Sequence, residues 1–279
     1  MQDLGLLKII NVTIMKELII LKIGGSVITD KFSEIPRANV DNLKRISEEI
    51  ASVYNKEKMF LIIVHGAGSY GHVIVKRTGI DKGIRTEKQL VDFAETQRFQ
   101  NELNSIVSKY LVNAGLPAIP FQASSFTVLD QGRIVRMDLS AIKSFLEIDM
   151  IPVLYGVPAY DRTYKCSILS GDQIAPYLAV SLNAKKIIHA TNVDGVFNVD
   201  PNKNAGAKLI PEINSENIEQ VKDWLTGSTA TDVTRGMLGK ISELLEIGVE
   251  SQIINALVDG NIARAFRNEK IGTVIKLRV

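Results

Sequence analysis

The stretch Leu18-Ile19-Ile20-Leu21-Lys22-Ile23-Gly24-Gly25-Ser26-Val27-Ile28-Thr29-Asp30-Lys31 decides the fold of this chain. Its apolar run is long enough for one buried strand, and that strand ends in a Gly-Gly-Ser turn. Paired glycines let consecutive backbone N–H groups face one concavity, because residues without a Cβ adopt positive φ angles readily. Lys22 adds a positive charge beside the turn. The stretch predicts a phosphate site without P-loop spacing; the alternative is a buried strand whose glycines serve only the turn.

The composition excludes several classes of protein. The chain has 279 residues and a formal net charge of +2 with its charged residues interspersed, so we expect neither a nucleic-acid-binding face nor a membrane-surface helix. The single cysteine, Cys166, excludes an internal disulfide and is typical of a reducing compartment. No apolar run reaches the roughly 20 residues that span a bilayer. We therefore expect a cytoplasmic protein in which Cys166 is a small apolar filler.

Apolar strands alternate with amphipathic helices along the chain. After the first strand, further strands are predicted at 59–64, 117–127, 151–155, 187–190, 252–254 and 273–277. Helices are predicted at 39–54, 86–113, 140–147, 170–182, 213–224 and 262–266, and another follows the small-residue segment 226–234. Hairpins are predicted near 127–135 and 158–169. This alternation predicts an α/β fold with a mostly parallel sheet covered on both faces, and no linker divides the chain.

Residues that could bind a ligand or take part in catalysis cluster at four predicted strand ends. They are 22–26, 65–72, 170–172 and 191–195. In open α/β sheets, ligands collect at the carboxyl ends of the strands, so we expect these four segments to converge on one site. The third segment begins Ser-x-x-Gln before an apolar run, which predicts a capped helix start at Ser170.

The segment Gly66-Ala67-Gly68-Ser69-Tyr70-Gly71 satisfies G-x-G-x-x-G directly after a strand. A dinucleotide fold would place a second strand with a terminal acidic residue about 20 residues further on. Helical patterns fill that part of the chain instead. We therefore favour a second anion-binding loop facing the first, with a dinucleotide site as the alternative.

The three histidines differ in their surroundings. His189 lies inside an apolar strand and is predicted to be structural, whereas His65 ends a strand and could satisfy backbone groups or serve function. His72 follows a glycine-rich turn at a predicted helix start, where the helix dipole favours anions, so we expect it to be functional. The histidines and the cysteine lack zinc-ligand spacing, so no metal ligands are predicted. No serine lies in the strand-to-helix turn that is typical of a hydrolase nucleophile, so a Ser-His-Asp hydrolase is not predicted either.

Five motifs come in the order and approximate spacing of the amino acid kinase superfamily. They are Lys22-Ile23-Gly24-Gly25-Ser26, His65-Gly66-Ala67-Gly68-Ser69, Ser170-Gly171-Asp172, Thr191-Asn192-Val193-Asp194-Gly195 and Gly236-Met237-Leu238-Gly239-Lys240. Within the superfamily the chain resembles archaeal-type isopentenyl phosphate kinases, through Ile28-Thr29-Asp30-Lys31, Gln122-Ala123-Ser124-Ser125-Phe126 and Asp232-Val233-Thr234. His72 is the specific sign, because superfamily members that act on carboxylates lack it. The resemblance runs from about Lys16 to Leu277.

The resemblance implies an open αβα sandwich formed as one domain by residues 1–279. The half up to about residue 165 would bind the phosphate acceptor, and residues 166–279 would bind ATP with Mg²⁺. The implied reaction is ATP-dependent phosphorylation of isopentenyl phosphate to isopentenyl diphosphate for isoprenoid synthesis, in a homodimer. The acceptor's tail would lie against the long helix near Phe93 and Ala94.

The same resemblance assigns the site residues. Catalytic roles fall to Lys22, Lys31, His72, Asp172 and Lys240. ATP binding falls to Lys22, Gly24, Gly25, Ser26, Gly68, Thr191, Asn192, Asp194, Gly236 and Lys240. Acceptor binding falls to Ala67, Gly68, His72, Gly156, Ser170 and Gly171.

Physical chemistry is consistent with those roles. A phosphate monoester is largely dianionic at pH 7, so it attacks without a general base, and catalysis is mainly positioning and charge neutralisation. Lys22 would hold the transferring γ-phosphoryl group, and Lys240 would hold the ATP phosphates on the side of the leaving group. Asp172 would orient both ammonium groups. His72 and Lys31 would serve the acceptor phosphate.

Three positions depart from the family pattern and keep alternatives open. Asn192 stands where Asp is usual, Arg235 where the helix entry has Gly-Gly, and Val157 where Asp follows Gly156. Arg235 replaces a glycine where backbone would approach ATP. The alternatives are a kinase of another small phosphate or phosphonate, such as fosfomycin, and a non-catalytic nucleotide-binding or storage protein.

Overall fold

A computed structural model describes residues 16–30, 35–201, 203–226, 232–245 and 247–276 of the chain, and the side chains of 232–235 are not described. The strands in this part are β1 (Glu17–Ile23), β2 (Met59–His65), β3 (Ala118–Pro120), β4 (Thr127–Asp130), β5 (Arg133–Met137), β6 (Ile151–Tyr155), β7 (Val157–Ala159), β8 (Ser167–Leu169), β9 (Lys186–Thr191), β10 (Val196–Phe197), β11 (Leu209–Ile210), β12 (Glu212–Asn214), β13 (Glu250–Asn255) and β14 (Thr273–Lys276). The helices are α1 (Gly25–Ile28), α2 (Val40–Val53), α3 (Ser69–Thr78), α4 (Glu87–Asn113), α5 (Ser140–Glu147), α6 (Gly171–Ser181), α7 (Ile218–Thr226), α8 (Asp232–Leu245) and α9 (Asn261–Phe266).

The buried apolar runs pair into one central sheet. Its eight strands follow the order β12-β14-β13-β9-β1-β2-β6-β3. Every neighbouring pair is parallel except β13 with β14. The hairpins β4–β5 and β7–β8 lie outside this sheet. The predicted α/β fold with a mostly parallel sheet is confirmed.

Side chains of β1 alternate between two helical layers. Leu18 and Ile20 pack into a core that includes residues of α5, α6, α7 and α8. Leu21 and Ile23 pack into a second core with α2, α4 and α9. Since successive side chains of a strand point to opposite faces, Lys22 emerges on the face of Leu18 and Ile20, towards α6 and α8.

Two predicted elements were wrong in part. The helix predicted at 213–224 begins instead with strand β12, whose Ile213 pairs with Ile275 at the sheet edge, and α7 starts only at Ile218. The strand predicted at 117–127 is short, because after Pro120 the chain turns into a 3₁₀ helix at Ala123–Ser125. In both places a short apolar run was compatible with either periodicity, and pairing partners far along the chain decided the outcome.

The long helix α4 packs over only part of its length. Thr86 and Gln89 form a capping box at its N-terminus, which satisfies backbone N–H groups of the first turn. Its buried residues begin at Thr96, whereas Leu90, nearer the start of the helix, is 55% exposed. The first two turns therefore extend beyond the second core.

Candidate active site

Two lysines and one carboxylate meet where β1 ends. Lys22 Nζ lies 2.8 Å from Asp172 Oδ1, and Lys240 Nζ donates a hydrogen bond to the same oxygen. Asp172 lies in the first turn of α6, where the helix dipole favours a negative charge, and Lys240 comes from α8. The two lysines are 6% and 8% exposed. We call Lys22, Asp172 and Lys240 the charged triad; it carries one net positive charge when all three are ionised.

The pKa values follow from this geometry. Burial raises the pKa of the Asp172 carboxyl, but the charges of Lys22 and Lys240 outweigh burial and hold it well below its usual range. Burial and the charge of Lys22 lower the pKa of Lys240 to about 8, against the opposing effect of Asp172. Asp172 is therefore ionised at neutral pH, and Lys240 loses its proton at a lower pH than an exposed lysine does.

His189 lies beside the charged triad. It is opposite Lys22 in the parallel pairing of β9 with β1, and so faces the same side of the sheet. Its Nδ1 is 3.8 Å from Asp172 Oδ1, and neither ring nitrogen has a partner among the described residues. Burial and then Lys240 lower its pKa, so the ring is neutral. We predicted a structural role for His189 from its place in an apolar strand; the register of β9 with β1 was the signal that could have placed it beside Lys22.

The two glycine-rich loops touch each other through their backbones. A Cβ on Gly25 would lie 2.3 Å from Gly68 N, and one on Gly66 would lie 2.6 Å from Gly25 N. Gly68 has a positive φ of 52°, whereas Gly24 has φ −62° and Gly25 opens a helical turn. Our explanation of Gly24 and Gly25 by positive φ was therefore wrong: Gly25 is needed because two backbones approach closely. Thr29 ties the loops together, donating to Gly25 O and accepting from Ser69 N.

His65 lies on the opposite face of the sheet from the charged triad. It is fully buried, and its ring nitrogens lie 3.0 Å from Gly66 O and 3.1 Å from Asn104 Oδ1. Burial lowers the pKa of His65 to about 4. Of the two roles we left open, these contacts favour the structural one.

A cavity of about 250 Å³ lies between α3, α4 and the start of β7. Three predicted acceptor-site residues line it, namely Ala67, His72 and Gly156. His72 is exposed in α3, which begins at Ser69. The wall from α4 is formed by Thr96 and Gln100 and not by Phe93 and Ala94, which we had expected. Polar residues four apart on the packed side of a long helix were the signal available for them. The full lining is Ala67, Gly71, His72, Val75, Asp81, Thr96, Gln100, Gly156, Val157, Pro158 and Ile168.

The glycines on the acceptor side approach the start of α6. A Cβ on Gly156 would lie 3.0 Å from Gly171 N, and one on Gly171 would lie 3.4 Å from Lys22 Cε. The backbone thus brings the cavity next to the charged triad. Ser170 is the N-cap residue of α6, so the predicted helix start is confirmed, although the Ser170 side chain makes no capping hydrogen bond. Pairing of Leu169 with Val157 fixes this helix entry instead.

The segment after β9 is held by hydrogen bonds within itself and to the neighbouring strand β13. Thr191 donates to Ile254 O and accepts from Val193 N, while Asp194 accepts from Asn255 Nδ2 at 2.8 Å. Asn192 is exposed and lines a surface groove together with Ser26. Gly236 is exposed on α8, four residues before Lys240. Lys31 and the Arg235 side chain lie outside the described part of the chain.

Within the described ranges, no group of three or more His, Cys, Asp or Glu residues could hold a metal ion. In the same ranges, no helix is both long and apolar enough to cross a membrane. Cys166 is fully buried, and burial raises its pKa to about 12.

Comparisons with known proteins agree with this geometry. The sequence profile of the amino acid kinase family matches residues 17–258. The chain is 45% identical to isopentenyl phosphate kinase of Methanothermobacter thermautotrophicus, over 91% of this chain and 97% of that protein. It is 37% identical to the enzyme of the same name from Methanocaldococcus jannaschii, over 92% and 98% of the two chains. A crystal structure of an isopentenyl phosphate kinase superposes with a TM-score of 0.81 at 41% identity, over 93% of this chain and all of that one. The chain belongs to the amino acid kinase family and, within it, to the isopentenyl phosphate kinases.

Proposed function

We propose that this protein transfers the γ-phosphoryl group of ATP to the phosphate of isopentenyl phosphate, giving isopentenyl diphosphate and ADP. An oxygen of the acceptor phosphate forms a bond to the γ-phosphorus, and the bond from that phosphorus to the β–γ bridging oxygen breaks. The leaving oxygen keeps the electron pair as part of ADP. The observation that carries the proposal is that two buried lysines share the Asp172 carboxylate directly beside a partly apolar cavity lined by His72.

The charged triad neutralises charge in this reaction. Lys22 would stabilise the transferring group and Lys240 the β-phosphate of the leaving ADP, because both amines meet at the Asp172 carboxylate where β1 ends. Asp172 accepts from both and holds them in place. The touching glycine loops supply backbone N–H groups for the phosphates. No proton needs to leave the acceptor, since its phosphate is largely dianionic at pH 7.

The proposal includes Mg²⁺, a homodimer and a cytoplasmic location. The ion would come bound to the ATP phosphates, because Mg²⁺ favours phosphate and water oxygens over all-protein cages. When bound, it neutralises phosphate charge. The names of the similar enzymes support use of ATP. Omission of Mg²⁺ from the assay and light scattering of the purified protein test the first two points.

An assay of ADP release tests the proposed function. Isopentenyl phosphate, fosfomycin, UMP and acetylglutamate are offered in parallel at equal concentrations with Mg²⁺ and ATP. We expect the highest kcat/KM for isopentenyl phosphate. Higher turnover of fosfomycin would assign the cavity to another acceptor, and ATP binding without turnover of any acceptor would indicate a non-catalytic protein.

His72→Ala is expected to raise the acceptor KM and lower kcat together while leaving ATP binding intact. The imidazole would donate to the acceptor phosphate in both the ground and transition states, and a hydrogen bond to a charged group contributes about 1.5–3 kcal/mol. His72→Gln keeps a neutral donor and should retain more activity than His72→Ala. Steady-state kinetics and calorimetric titration with ATP provide the measurements.

Val73→Ala is the matched control for His72→Ala. Val73 is the next residue of α3, is 38% exposed and does not line the cavity. The control should leave both constants unchanged. If His72→Ala instead lowers thermal stability with an unchanged acceptor KM, His72 serves only to shape the helix start.

The activity should fall as pH rises through about 8. Lys240, with its pKa lowered to about 8, then loses its proton in the free enzyme and no longer attracts the ATP phosphates. The profile of kcat/KM for ATP reports groups of the free enzyme, so an alkaline limb should appear there. Lys240→Arg should remove the limb, because a guanidinium stays charged. A wild-type profile that stays flat from pH 7 to 9.5 would contradict this role.

A further inference from the structure

The α4 wall of the acceptor cavity contains one amide side chain without a partner. Gln100 is fully buried, and neither its Nε2 nor its Oε1 has a hydrogen-bond partner among the described residues. A buried carboxamide left in this way is costly, so such a group calls for a ligand or a water.

The other amide side chains nearby on α4 all have hydrogen-bond partners. Gln97 donates to Pro158 O, Asn104 donates to Val153 O at 3.3 Å, and Asn101 donates to the side-chain oxygen of Gln122 at 3.0 Å. Each of these amides joins α4 to the segment that it packs against. Gln100 is the member of the group that lines the cavity.

The place of Gln100 within the cavity is set by two close neighbours. Its Nε2 lies against Gly71, where a Cβ would come within 2.1 Å of it. One turn earlier, Thr96 also lines the cavity; its hydroxyl donates to Asp92 O at 2.8 Å, so its oxygen can still accept. The other lining residues include the apolar Val75, Val157 and Ile168 and two ionisable residues, His72 and Asp81.

We infer that the cavity also takes short-chain alkyl phosphates that carry a hydroxyl group on the tail, and that Gln100 binds this hydroxyl. The inference rests on the proposed function and names a further class of acceptor for the same site. A free carboxamide offers both a donor and an acceptor, and a hydroxyl is the small group that matches both. The hydrocarbon tail of isopentenyl phosphate matches neither and leaves the Gln100 carboxamide without a hydrogen-bond partner. Phosphoryl transfer is unchanged, since the bond still forms at the acceptor phosphate.

The probe is 3-hydroxy-3-methylbutyl phosphate, which has the carbon skeleton of isopentenyl phosphate with water added across the double bond. We expect the wild-type protein to phosphorylate it with a kcat/KM within about tenfold of that for isopentenyl phosphate. In Gln100→Met, which keeps the length of the side chain without the amide, kcat/KM for the hydroxylated compound should fall at least tenfold further. The value for isopentenyl phosphate should fall by a clearly smaller factor, because Gln100 lines the cavity for both compounds; the ratio of the two kcat/KM values is therefore the measurement that decides.

Ser108→Ala is the matched control for Gln100→Met. Ser108 is another buried polar residue of α4 whose Oγ has no partner in the described chain, and it does not line the cavity. Its substitution should leave the ratio of the two kcat/KM values unchanged.

Each other outcome overturns a defined statement. Turnover of isopentenyl phosphate with none of the hydroxylated compound removes the second acceptor class and leaves the proposed function intact. Turnover of neither compound removes the proposed function itself. Equal losses for both compounds in Gln100→Met, or an unchanged ratio, show that Gln100 does not bind the hydroxyl.

Discussion

Lys22→Ala should lower kcat by about 10²–10³-fold while the protein remains folded, because the amine serves charge that develops during transfer. Asp172 keeps Lys240 as a partner in this variant, so no carboxylate is left buried without a positive charge. Single-turnover measurements separate the transfer step from ATP binding.

Lys186→Ala is the matched control for Lys22→Ala. Lys186 is also a buried lysine of the central sheet, 5% exposed, but it starts β9 at the opposite end from the charged triad. Its amine donates to Ala265 O at 3.1 Å and to Asn268 Oδ1 at 3.3 Å. We expect Lys186→Ala to lose stability and keep its kcat. A folded Lys22→Ala protein with a kcat within threefold of wild type would remove Lys22 from the mechanism.

Gly25→Ala is expected to lower both stability and activity strongly. The new Cβ would lie 2.3 Å from Gly68 N and 2.7 Å from Gly68 Cα, and both atoms belong to backbone that cannot rotate away. Overpacking of this kind costs about 1–3 kcal/mol, and we expect the upper part of that range because the two loops must separate. Denaturant unfolding and kcat on the same preparation provide the test.

Gly239→Ala makes the same change without the contact. Gly239 is inside α8, and among the described residues a Cβ there would meet no atom within 4 Å beyond its chain neighbours and the backbone of α8 itself. Alanine in a helix interior is favoured over glycine by about 0.5–1 kcal/mol, so this control should unfold at higher denaturant. Wild-type stability in Gly25→Ala would show that the loops can shift apart without cost.

The sequence predicted the strand ends well because long apolar runs and glycine-rich turns are local signals. Lys22 lies at the end of β1 of the central sheet and Asp172 follows β8 of a separate hairpin, and the packing of α6 against β1 brings the two side chains together. Glycine identity was predicted but its reason was not, since the approach of Gly25 to Gly68 depends on two loops far apart in the chain. Strand β12 was missed because its pairing with β14 is equally remote.

The site residues that sequence analysis did not find share one physical cause. His189 and Gln100 lie in regular elements, where a polar residue on a buried face is first interpreted as structural. Their position became informative only through the register of β9 with β1 and the packing of α4 against the cavity. Which strands pair and which helix faces pack together therefore located these two residues, whereas the periodicity of the sequence could not.

The strand order β9-β1-β2-β6 also fixes the distance between the loops that follow β9 and β6. Neighbouring strands lie about 4.8 Å apart, so the loops that follow β9 and β6 are separated by three spacings, about 14 Å. This distance between the two loops is set by the backbone hydrogen bonds that join neighbouring strands, so side-chain substitutions do not change it. The tail cavity, in contrast, is bounded largely by replaceable side chains such as Val75, Val157 and Ile168. With ATP assigned to the loop after β9 and the acceptor to the loop after β6, as we propose, the choice of acceptor tail can diverge over evolution while the distance between the two sites stays constant.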